Sequence, residues 1–202
     1  MIIVISNPTP VEQEHKIINE LFDEGLSIFH MRKMDYTDKE LNHLLMKIDK
    51  QHHSKVAFHQ HHEMAEHFGS RRLHFTEQER KKLMPEILQK NSGRYILSTA
   101  IHHISMYEAL PDIFDYCFLS PIFNSISKPD LKSMITPDFQ LPVKSKIKII
   151  ALGGVSASGI PDVKNYNFNG IAVLGTIWGE PGKAVSNFKK LKEEWGTYGQ
   201  QF

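Results

Sequence analysis

Short apolar runs rich in β-branched residues alternate along the chain with longer stretches in which apolar residues recur at helical spacing. The runs are Ile2 to Ser6, Leu26 to Met31, Lys55 to His59, Arg72 to Phe75, Tyr95 to Ala100, Tyr116 to Leu119, Lys148 to Leu152 and Gly170 to Leu174. A short buried run followed by an amphipathic stretch is the pattern of a parallel sheet with crossover helices. Eight such units in 202 residues predict one α/β domain over residues 1–202, closed as a (β/α)8 TIM barrel rather than an open sheet.

The intervening stretches carry helix start and stop signals. Thr9-Pro10-Val11-Glu12 combines a capping residue, a proline at the first helical position and a glutamate three residues after the cap. Ile17, Ile18, Leu21 and Phe22 then share a face, and Gly25 is placed to end the helix in a left-handed conformation. Thr37 to Glu40 repeats the capping box ahead of Leu41, Leu44, Leu45 and Ile48, and Thr76 to Glu79 and Ser105 to Glu108 are further matches. The last helix is expected to turn Val185, Phe188, Leu191 and Trp195 toward the barrel, and the tail after Gly196 to fray. These stripes are core and carry no chemistry.

Composition narrows the function classes. With 24 Lys+Arg against 23 Asp+Glu the formal net charge is +1, so no basic field draws in nucleic acid. No apolar run approaches the roughly 18 residues of a membrane span, and Met1 to Ser6 reads as a strand rather than a signal peptide. A lone Cys117 excludes an internal disulfide and a cysteine-based zinc site, which fits a cytoplasmic protein. A small molecule is the expected partner.

Two glycine-containing loops point to an anion. Gly153-Gly154 follows the seventh predicted strand and Gly175-Thr176 the eighth, where barrels commonly bind phosphate through backbone N–H groups that no Cβ shields. The bland reading of either pair alone is a tight turn. A third segment, Asp115-Tyr116-Cys117-Phe118-Leu119-Ser120-Pro121-Ile122-Phe123-Asn124-Ser125-Ile126-Ser127-Lys128, ends a strand in Ser-Pro and follows it with two hydroxyls and a lysine, a grip for a second anion.

That segment resembles the strand-six motif D-Y-x-x-x-G-P-x-F-x-T-x-T-K of the thiamine phosphate synthase/TenI family. Asp115, Tyr116, Pro121, Phe123, Ser125, Ser127 and Lys128 fit it, with serine for each threonine and Ser120 for glycine. The resemblance extends along nearly the whole chain. The family's strand-two Q-x-R-x-K is similar to His30-Met31-Arg32-Lys33-Met34, its strand-four H-L-G to His74-Phe75-Thr76, and its G-x-S-x-H to Ser98-Thr99-Ala100-Ile101-His102. It implies a TIM barrel acting in thiamine biosynthesis on a thiazole phosphate, and a homodimer.

Departures from the pattern separate three readings. The synthase branch ionises a pyrimidine diphosphate beside Mg2+ and so needs carboxylates and cations. Here Met34 stands for the motif lysine, His59-Gln60 for the Asn-Asp pair after strand three, and Ala100 for a substrate-binding serine. Glu79 is the candidate second metal carboxylate. Lys33 is next to the missing lysine but faces the other side of the strand. The TenI branch implies a proton shift, needing no metal or other cofactor, that aromatises a carboxythiazole phosphate, with the strand-five histidine, here His102, as acid or base. A histidine suits this because its unperturbed pKa of about 6.5 lets it exchange protons near neutrality. The expected site is therefore His102 as catalyst, Gly153, Gly154, Gly175 and Thr176 on phosphate, and His30, Arg32, His59, His74, Ser125, Ser127 and Lys128 around the substrate. Synthase activity and non-catalytic binding of a thiazole or thiamine phosphate are the alternatives.

His59, His61, His62, His67 and His74 cluster around strands three and four, where a divalent metal site is conceivable, but their spacing does not support it well. His62 and His67 are five apart rather than four, and His61 and His62 point apart. The cluster is read as solvated, with His59 and His74 at the barrel mouth because they end strands.

Overall fold

The computed structural model describes residues 1–82, 90, 93–124, 133, 135–136, 139–141 and 146–197. The apolar runs form eight parallel strands: β1 (Ile2–Ile5), β2 (Ile28–Met31), β3 (Val56–Phe58), β4 (Arg72–Phe75), β5 (Ile96–Ile101), β6 (Tyr116–Leu119), β7 (Lys148–Leu152) and β8 (Gly170–Val173). Each pairs with its sequence neighbour, and β8 returns to β1 through Ile2↔Ile171, Ile3↔Ala172 and Val4↔Val173, closing the barrel. The predicted fold class is the observed one. Strand limits differ from the sequence reading by one or two residues.

Alternation along these strands divides two cores. Ile3, Ile5, Ile28, Ala57, Phe118 and Ile150 fill the interior, while Val4, Phe29, Phe58, Leu73, Cys117 and Ile149 face the surrounding helices. The helices are α1 (Glu14–Asp23), α2 (Asp38–Leu45), α3 (Met64–His67), α4 (Glu77–Lys82), α5 (Ile160–Asn165), α6 (Gly175–Trp178) and α7 (Ala184–Thr197). On α1, Ile18, Leu21 and Phe22 are buried as the spacing required, and Gly25 follows with φ 94°. The Thr37 capping box forms in full, and Thr76 and Glu79 exchange the same two bonds ahead of α4. Among the described residues no helix is long and apolar enough to cross a membrane.

Three local expectations fail. Helix α1 starts at Glu14 behind a left-handed Gln13 rather than at Thr9, because Asn7 Nδ2 holds the Thr9 hydroxyl at 2.8 Å and Lys33 Nζ holds its carbonyl at 3.1 Å. After β5, Ser105 lies inside a single tight turn, Ile104–Met106, that begins at His103 without a side-chain cap, and the Tyr107 hydroxyl donates to Ile147 O at 3.1 Å. On α7, Phe188 and Leu191 are buried and Trp195 packs on the core. Val185 instead turns into a surface groove with Val11 and Pro181, and Ala184 takes the buried position. The tail beyond Thr197 lies outside the described residues.

Candidate active site

The mouth of the barrel, at the C-terminal ends of the strands, is where strand alternation brings the candidate residues together. His30 on β2 points inward, and the β3–β4 register, Phe58↔Leu73, puts His59 beside His74 one step further up. The three imidazoles are 0%, 4% and 2% exposed, deeper than a position merely lining the mouth. His30 Nδ1 lies 2.8 Å from His59 Nε2, His30 Nε2 lies 2.7 Å from the Tyr116 hydroxyl, and His74 Nδ1 lies 3.0 Å from the Ser98 hydroxyl. The His59 and His74 rings stack with centroids 4.0 Å apart. Burial, with added repulsion from His74, holds His30 neutral; burial does the same for His59 and brings His74 down to about 3. The Tyr116 hydroxyl is pushed up to about 12 by the same desolvation.

His102 follows β5 on the side that alternation shares with Ser98 and Ala100, and it is exposed. Its Nδ1 lies 3.0 Å from the carbonyl oxygen of Ser120, the residue after β6. A carbonyl only accepts, so Nδ1 carries the proton and Nε2 keeps a free lone pair. Among the described residues Nε2 has no hydrogen-bond partner.

Further round the barrel, beyond β6, the β7 and β8 loops meet. Gly153 and Gly154 take φ values of 100° and 67°, and a Cβ on Gly154 would stand 2.6 Å from Asn124 O and 2.8 Å from Phe123 Cβ. This pair is therefore required by the backbone of the turn and by the close approach of the β6 loop. The Thr176 hydroxyl donates to Val155 O at 2.5 Å and Asn187 holds Thr176 O at 2.9 Å, so the two glycine loops are tied to each other. Ile177 and Trp178 both donate to Leu174 O, which leaves Gly175 and Thr176 at the open first turn of α6.

The other predicted positions separate. Arg32 is exposed at the mouth, whereas Lys33 turns to the outer wall and pairs with Glu14 at 2.6 Å, fully buried, as its opposite parity required. Met34 is 55% exposed. Glu79 accepts from Thr76 N at 2.7 Å as part of the helix cap. Ser125, Ser127 and Lys128 lie outside the described residues. His61 and His62 diverge as expected but are not simply solvated: His61 pairs with Asp38 at 2.5 Å, and half-buried His62 donates to His74 O at 3.1 Å. Sequence reasoning missed the convergence of His30, His59 and His74. Their common inward parity on three successive strands was the available signal.

The family model described as thiamine monophosphate synthase matches residues 2–177. The chain belongs to this family. It is 31% identical over 88 residues to the thiamine-phosphate synthase of Chloroflexus aurantiacus, a stretch covering 42% of this chain and 41% of that protein, so under half of the relative's length is matched. Its fold is similar to thiamine phosphate pyrophosphorylase from Bacteroides thetaiotaomicron, with TM-score 0.74, 24% identity and 96% of each chain covered. The Pyrococcus furiosus pyrophosphorylase superposes with TM-score 0.75 at 13% identity, over 97% of this chain and 95% of that one. Membership places this chain in a thiamine-biosynthesis family.

Proposed function

We propose that this member is a cytoplasmic thiazole tautomerase, converting the non-aromatic tautomer of a carboxythiazole phosphate to its aromatic form. The observation that carries the reading is the Nδ1–H bond from His102 to Ser120 O, which fixes one tautomer and leaves a basic nitrogen at the mouth. Tautomerisation moves one proton from one ring position to another with no change in composition. A single base that takes the proton and returns it satisfies that balance, and such a group contributes typically about 100- to 10,000-fold. In this reading the tied loops at Gly153, Gly154, Gly175 and Thr176 hold the phosphate and Arg32 supplies a cation at the mouth. The deeper His30, His59 and His74 close the barrel interior beneath the mouth.

The family's other reaction, joining a pyrimidine diphosphate to the thiazole, is favoured by the names of the relatives. It requires oxygen ligands for Mg2+. The donor set here does not fit: imidazole and carboxamide stand at His59 and Gln60, and Glu79 commits a carboxylate oxygen to its helix cap. No step through Mg2+ is derived. One assay separates the readings. The protein is given the non-aromatic tautomer alone, and in parallel aromatic thiazole phosphate with pyrimidine diphosphate and Mg2+. The expected result is aromatisation in the first arm and no thiamine phosphate in the second. Thiamine phosphate formed faster than about 0.1 per second would establish the synthase reading instead. Binding without turnover in either arm would establish a non-catalytic binder.

A further inference from the structure

The three buried imidazoles are costly if they only fill space, since an aliphatic layer would pack the barrel interior with no polar atoms to satisfy. Of their six ring nitrogens, two are taken by the Tyr116 and Ser98 hydroxyls and two share one bond between His30 and His59. His59 Nδ1 and His74 Nε2 have no partner among the described residues. One nitrogen from each ring lies within 4.8 Å of one from each of the others.

We infer that His30, His59 and His74 form a binding site for a borderline divalent transition metal ion of the Zn2+, Co2+ or Ni2+ kind. Imidazole nitrogens suit these ions and not Mg2+, and three neutral histidines with an open fourth position are a known zinc arrangement. A tetrahedral ion at about 2.0–2.1 Å from each nitrogen holds its ligands about 3.3 Å apart. The His30–His59 pair therefore opens by a fraction of an ångström from 2.8 Å, and His74 closes in from within 4.8 Å. For both His30 Nδ1 and His59 Nε2 to ligate, the proton they share moves to the far nitrogen of the ring that carries it, so each ring stays neutral with one N–H pointing away from the ion. The outer contacts are in place: Tyr116 on His30 Nε2 and Ser98 on His74 Nδ1 orient the rings as hydrogen-bonded outer groups do in metal sites. The fourth position faces the mouth, where Arg32 favours an anionic occupant such as hydroxide or a substrate oxygen. The site is independent of the proton shift proposed above, no step of which passes through it.

The test uses the whole chain, freed of metal by a chelator and titrated with Co2+ and then Zn2+. One equivalent of Co2+ is expected to give the intense visible absorption of a four- or five-coordinate nitrogen site, discharged by one equivalent of Zn2+. His59→Gln and His74→Gln, checked for folding by circular dichroism, are each expected to weaken binding at least tenfold, whereas Asp38→Asn, in the exposed Asp38–His61–Glu63 cluster, leaves it unchanged. A weak octahedral spectrum from the unaltered protein overturns the inference without any variant. So does binding that survives His74→Gln and is lost in Asp38→Asn.

Discussion

His102 and His103 are adjacent, exposed and identical in side chain, yet only His102 is held by a partner that dictates where its proton sits. That difference decides which one is set up for proton transfer. His102→Asn is the informative replacement, because the carboxamide can still donate to Ser120 O but has no basic lone pair. Tautomerase kcat is expected to fall about 100- to 10,000-fold, with affinity for the aromatic product within a few-fold. His43→Ala, on the exposed side of α2, serves as the silent control; near-full activity in His102→Asn would remove the residue from the mechanism. The glycine pair shows the limit of the same reasoning. Its residues were legible from sequence as a glycine turn after the seventh strand, but the approach of Asn124 O to 2.6 Å from a notional Gly154 Cβ was not, because it depends on how two loops pack. A bulky residue there would disturb the turn whether or not phosphate touches it, so His102 is the cleaner probe.

At the level of elements, sequence was most reliable where a signal is local. The Thr37 and Thr76 capping boxes both formed, since in each the cap and its helix are contiguous. The Thr9 match failed where Asn7 and Lys33 engage the threonine instead, and at Ser105 the turn starts two residues earlier, with Tyr107 reaching Ile147 across the fold. Lys33 fastens the segment before α1 to β2: its Nζ reaches Glu14 at 2.6 Å and Thr9 O at 3.1 Å. Burial pushes the Glu14 carboxyl up and the Lys33 amine down, so desolvation outweighs their mutual attraction. Lys33→Met, which leaves Glu14 buried alone, is expected to cost about 3–5 kcal/mol at neutral pH by urea denaturation. A carboxyl whose folded pKa lies above its unfolded one gives stability that is full below the unfolded value and lost as pH rises through the folded one. The deficit should therefore shrink on acidification, as the buried Glu14 carboxyl takes up its proton, and Glu14→Leu added to Lys33→Met should recover most of it. A deficit that is constant with pH would mean Glu14 is not ionised there.

The whole barrel was legible because eight buried runs at regular intervals leave few closed arrangements, but closure itself rests on contacts that no single run reveals. β8 meets β1 across the ends of the sequence: Ile171 N donates to Met1 O at 3.0 Å, and the N-terminal amine reaches Asn169 O at 3.1 Å. Gly170 permits this, since a Cβ there would lie 2.5 Å from Met1 O, 2.8 Å from Met1 Cγ and 3.1 Å from Ile150 Cδ1. The β3–β4 register, Phe58↔Leu73, aligns His59 with His74, and the β7–β8 register, Leu152↔Ala172, sets side by side the strands whose loops carry Gly154 and Gly175. Gly170→Ala adds one methyl group against a backbone carbonyl that cannot retreat without breaking the β1–β8 ladder. Overpacking of this kind costs about 1–3 kcal/mol. Gly182→Ala, with open space around the added Cβ, should stay within about 0.5 kcal/mol. Urea midpoints of the two variants, measured beside the unaltered chain, decide the matter: equal midpoints would show that the seam has room for the added methyl group.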